Sequence, residues 1–137
     1  MSSEYFSTPA DLPATIGNSQ KPREPLIAAT DLAARVRALN DAFRRSFAGG
    51  QVVETPGVVE LAEADRIALQ LAVRRFSSFD PDNDPHGEHD FGAVEVGGER
   101  FFWKIDAYDR ALLGGSPDPA DPAVTTRVLT IMRIDEY

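Results

Sequence analysis

The 137-residue chain has no cysteine. That excludes a disulfide-stapled scaffold and any zinc or iron–sulfur site held by thiolates. Nor is there an apolar run near the ~20 residues that a membrane helix needs. The chain does not open with the basic start and apolar segment of a secretory signal, so a cytoplasmic location is expected. Basic charge is scarce too: 14 Lys and Arg stand against 22 Asp and Glu, a net charge of -8. A protein that grips nucleic acid neutralises phosphates, usually with a basic face. Direct DNA or RNA binding is therefore disfavoured. An acidic surface suits a basic protein partner, or plain solubility.

The remainder is ordinary for a folded protein. Hydrophobic residues make up 42% and charged residues 26%, which is enough for one domain with a buried core. The first part of the chain, MSSEYFSTPADLPATIGNSQKPREP, is rich in Ser, Thr and Pro and has no hydrophobic period. A disordered tail over residues 1–27 is expected, followed by a single α+β domain over 28–137. Thr30 or Asp31 is expected to cap a first helix. Leu32, Val36, Leu39, Phe43 and Phe47 form its apolar stripe. Arg35, Arg37, Asn40, Asp41, Arg44 and Arg45 lie opposite, and Gly49-Gly50 stops it. QVVET (51–55) reads as a short strand, and Pro56-Gly57 as a turn with glycine at positive φ. A second helix is expected from Glu63 to Phe76. Its apolar residues cover most of the circumference, which predicts a buried central helix.

Gly97-Gly98 between two alternating runs predicts a hairpin with a two-residue primed turn. Counting back pairs Glu95 with Arg100, Val94 with Phe101, Ala93 with Phe102 and Gly92 with Trp103. Phe101, Trp103 and Ile105 then share the core face. Pro117, Pro119 and Pro122 keep the next connection irregular. RVLTIMRI (127–134) reads as a strand inside the sheet. The resulting architecture is two helices packed on a small antiparallel sheet around the Gly-Gly hairpin.

One loop concentrates polar groups: DPDNDPHGEHD, residues 80–90. His86 and His89, the only histidines, stand beside Glu88 and Asp90. Imidazole and carboxylate suit zinc, manganese or iron. The spacing is not that of HExxH. It is not a calcium EF-hand either, because Pro85 replaces the required glycine and Phe91 the closing glutamate. The other reading is a turn-rich loop whose Asp and Asn side chains bond their own backbone. Lys104 and Asp106 suggest a cross-strand salt bridge rather than a nuclease pair. No nucleophile elbow or phosphate loop is present. The arginines of the first helix solvate a surface, bind phosphate or carboxylates, or pair with the acidic loop.

Several segments together resemble a family of bacterial proteins of unknown function, DUF3768. They are RALNDAFR (37–44), TPGV (55–58), NDPHGEHDFG (83–92), WKID (103–106), SPDPADP (116–122) and RVLTIM (127–132). The family commonly has Tyr where this chain has Ala107. The resemblance brings no activity with it. It implies a setting in alphaproteobacteria, often among plasmid and mobile-element genes, and by association a protein that shields incoming DNA from host defences. The expected function is a small, acidic, non-enzymatic factor that binds a basic surface of a host protein, as an anti-CRISPR or anti-restriction protein would. Asp82, Asp84, Asp118 and Asp121, on Pro-stiffened loops, are the candidate contacts. No cofactor is expected. The alternative is a metal-dependent hydrolase centred on His86, Glu88, His89 and Asp90. A plain intracellular domain with a private partner is the third reading.

Overall fold

Among the described residues, hydrophobic patterning builds four strands and three helices in the order α1 (Glu24–Ser46), β1 (Gln51–Glu54), α2 (Pro56–Val59), α3 (Glu63–Arg74), β2 (Phe91–Val96), β3 (Glu99–Tyr108) and β4 (Thr126–Arg133). The computed structural model describes residues 24–137, with side chains from residue 31 onward. The expected tail lies almost wholly outside these residues. Residues 33–137 form one compact unit. Among the described residues, no helix is long and apolar enough to cross a membrane.

The four strands form one sheet in the order β1-β4-β3-β2. The hairpin has the expected register, including Gly92 opposite Trp103 and Glu95 opposite Arg100. Gly97 and Gly98 have φ of 62° and 81°, as a type I′ turn demands. β4 is interior and pairs antiparallel with β3. Its pairing with β1 is parallel, so the α+β sheet is mixed. β1 and β4 are far apart in sequence, and the helices and hairpin between them supply the crossover that a parallel pair requires. The core gathers Phe43, Val58, Leu69, Val73, Phe101, Trp103, Ile105, Leu129 and Ile131.

Four local expectations are corrected. Helix α1 runs through Thr30 and Asp31 rather than starting there. It stops at Phe47, whose φ is 60° and whose N–H donates to Phe43 O at 2.7 Å. Gly57 is not among the residues at positive φ, because Pro56-Gly57 opens the short helix α2. Its missing side chain serves a close approach: a Cβ there would lie 2.7 Å from both Arg133 Cδ and Glu136 Oε1. Glu136 accepts from Thr55 Oγ1, Gly57 N–H and Arg133 N–H, which ties the C-terminal turn to the start of α2. Helix α3 is not buried all round. Only Leu69 and Val73 are buried, and Ile67 is 49% exposed.

Candidate functional site

The polar face of α1 turns inward. Asn40 is 3% exposed and Arg44 0%, so the part of this face with Arg37, Asn40, Asp41 and Arg44 is a docking strip, while Arg35 and Arg45 stay exposed. The loop over residues 80–90 lies on it. Arg37 Nη1 donates to Gly87 O at 2.8 Å, and Asn40 Nδ2 to Glu88 O at 2.9 Å. His89 Nδ1 lies 2.9 and 3.1 Å from the two carboxylate oxygens of Asp41. That ring nitrogen therefore carries a proton and donates. Arg44 completes the anchor, donating to Asp41 Oδ1 at 3.0 Å and to Phe76 O at 3.1 Å. Its guanidinium also lies over the rings of Phe79 and Trp103, at 5.3 and 5.2 Å. Such faces stabilise a cation that has lost its water.

The loop's own chemistry fixes its shape. Asp80 Oδ1 accepts from the backbone of Asp82 and Asn83, an Asx turn. Asp84 is buried, and its Oδ1 accepts from the N–H groups of Glu88 and His89, both at 3.1 Å. These bonds hold His89 in the left-handed region, at φ 54°. A non-glycine residue adopts that conformation only when its surroundings over-determine it. Phe79 does so from the side, stacked on the imidazole at 3.7 Å with planes 3° apart. His89 Nε2 faces Asp84 Oδ2 at 3.6 Å.

The electrostatics follow from this packing. Burial pushes the Asp41 carboxyl up, but hydrogen bonds from His89 and Arg44 outweigh it and hold the group below its ordinary value. Burial raises Glu88, and Asp90 nearby raises it further. Asp90 is raised by burial first, against a backbone hydrogen bond, with Asp84 and Asp106 adding to the effect. Loss of water lowers Arg127.

Arg127 joins the two acidic loops. Its Nε donates to Asn40 Oδ1 at 2.8 Å, while Asn40 holds Glu88 O. Its other arm donates to Pro119 O. The segment SPDPADP is stiffened in the same way as its neighbour. Asp118 Oδ1 accepts from Ala120 N, Asp121 Oδ1 from Ala123 N, and Thr125 Oγ1 donates to Asp118 O.

Among the candidate contacts, Asp82 and Asp118 are exposed and Asp121 is partly exposed. Asp84 is withdrawn inward and is not a surface contact. His86 and His89 border an open cleft of about 410 Å³ with Phe79, Asp80, Pro81, Asp84, Pro85 and Gly87. Glu88 and Asp90 do not line it. Among the described residues, no three His, Asp or Glu side chains gather closely enough to hold a metal ion. The set His86, Glu88, His89 and Asp90 thus does not form such a group. Lys104 and Asp106 pair at 3.2 Å along one strand rather than across two. Asp41, Arg44 and Arg127, which organise the site, were not singled out together in the sequence. The i, i+3 spacing of Asp41 and Arg44 was their one local signal.

A family model described as a protein of unknown function, DUF3768, matches residues 54–136, more than half of the chain. The chain belongs to the DUF3768 family. The match holds the acidic loop, the hairpin, the SPDPADP segment and β4, and begins after α1. In this DUF3768 chain the docking strip of Arg37, Asn40, Asp41 and Arg44 therefore precedes the matched segment. The comparisons with curated proteins and with solved structures found no match.

Proposed function

We propose that this DUF3768 chain is a small non-enzymatic binding factor that engages a basic surface of a host protein through its two acidic loops. One observation carries the reading. The loops that carry Asp82 and Asp118 are linked through Glu88, Asn40, Arg127 and Pro119, which supports reading two segments separated in sequence as one acidic patch. Each loop is stiffened by prolines and by carboxylates bonded to their own backbone. Stiff loops lose little entropy on docking. Their charge steers a basic partner in and makes binding salt-sensitive.

Carried to a cellular role, the reading makes the protein an antidefence factor. Its patch would occupy the nucleic-acid groove of a restriction or CRISPR protein, where carboxylates take the place of phosphates. His89 is a strut in this account, because both ring nitrogens face carboxylates of the fold. The test is a pull-down from bacterial lysate at low and high salt with wild type and with Asp82, Asp118 and Asp121 changed to Lys. Capture by wild type that falls with salt and is lost in the variant is expected. Equal capture by both proteins contradicts the mechanism.

A further inference from the structure

Helix α3 carries more apolar surface than its own fold uses. The side that packs inward presents Arg66, Leu69, Gln70 and Val73. Arg66 and Gln70 bond Glu54 on β1, and Leu69 and Val73 are fully buried. The opposite side presents Ala64, Ile67, Ala68 and Leu71, all exposed. Ile67 is 49% exposed and Leu71 37%. These four recur at steps of three and four, so they form a continuous apolar stripe along about two turns. Small and large residues alternate along it, the profile of a helix that accepts another helix closely.

The charges at its ends say what fits. Glu63 and Asp65 stand exposed in its first turn and Arg75 caps its carboxyl end, while the exposed Glu60 closes the preceding helix α2. Among the described residues, none of these four side chains forms a salt bridge. A second copy laid antiparallel across Ile67 and Ala68 sets Leu71 against Ala64 in both directions. It also brings the carboxyl end of each helix, with Arg75, to the acidic amino end of the other, with Glu63 and Asp65. That is the self-complementarity a two-fold interface requires.

We propose that the exposed face of α3 is the two-fold interface of a homodimer, packed antiparallel through Ala64, Ile67, Ala68 and Leu71, with Arg75 of each copy at the acidic amino end of the other helix. The surface is independent of the acidic loops. One helix face makes a small interface, so association is weak, on the order of micromolar or above.

Sedimentation velocity of the full chain from about 2 µM to about 500 µM spans that range. Wild type moves from monomer to dimer mass. Ile67→Glu stays monomeric throughout while keeping the wild-type circular dichroism spectrum, since the site is exposed in the protomer. Arg75→Glu weakens the dimer roughly tenfold, the effect of ~1.4 kcal/mol, and adding Glu63→Arg and Asp65→Arg in the same chain restores it. Because the chain has no cysteine, Ala68→Cys supplies a single thiol beside the axis and gives a disulfide-linked dimer under mild oxidation. A Glu95→Cys control on the hairpin does not. Monomer mass at every concentration overturns the proposal. So does a dimer indifferent to Ile67→Glu, or equal crosslinking at both cysteines.

Discussion

At the scale of single residues, the site is a set of buried charges whose balance can be measured. Asp41 holds both His89 and Arg44. Asp41→Asn leaves a buried guanidinium without its anion, and a loss of about 2 kcal/mol in urea unfolding at pH 7 is expected, the worth of hydrogen bonds to a charged group. A wild-type midpoint would mean that the anchor is idle. Asp41 is held low, so its contribution is present above its ordinary value of 3.8 and lost as pH falls through the lower folded value. Glu88 has the opposite sign. Its folded value is raised above the ordinary 4.5, so the stability it contributes is complete below 4.5 and lost as pH rises through the folded value. At neutral pH its charge opposes the fold. Glu88→Gln should therefore raise the melting temperature at pH 7, with the gain vanishing near pH 4. A variant less stable than wild type at pH 7 would contradict the assignment.

At the scale of elements, the hairpin was readable because its information is local. Gly97-Gly98 fixes the turn, the turn fixes the register, and alternation fixes the faces. Phe101, Trp103 and Ile105 are buried as that count requires. Gly92 lies under the indole, where a Cβ would stand 2.5 Å from Trp103 Nε1. Trp103→Ala should cost ~3–5 kcal/mol, and Gly92→Ala ~1–3 kcal/mol by pushing the ring off its seat. Denaturant midpoints near wild type in both would reverse the faces. The rest was hidden where partners are distant. Asn40 and Arg44 look like surface residues from their own helix and become buried only once residues 76–89 arrive. The parallel β1–β4 pair joins Val52 to Leu129, a contact that no local pattern encodes. Helix α3 was misjudged because apolarity all round signals burial without saying against what.

At the scale of the whole molecule, Arg127 links the two acidic loops through Asn40 and Pro119, although composition alone would have assigned that residue to repulsion of a basic partner. The fold holds the patch without a metal in this account. Dialysis against EDTA should leave the melting curve unchanged, and a chelator-sensitive transition would point back to the His86–Asp90 segment. The central claim is that the exposed carboxylates, not the histidines, carry function. It is tested most directly by plasmid establishment in a host with active restriction or CRISPR immunity. The host expresses wild type, the Asp82, Asp118 and Asp121→Lys variant, or His86→Ala. Protection by wild type and by His86→Ala, lost in the charge-reversed protein that still folds, is the predicted result. Protection by the charge-reversed protein equal to that of wild type, or no protection by wild type at all, would contradict it.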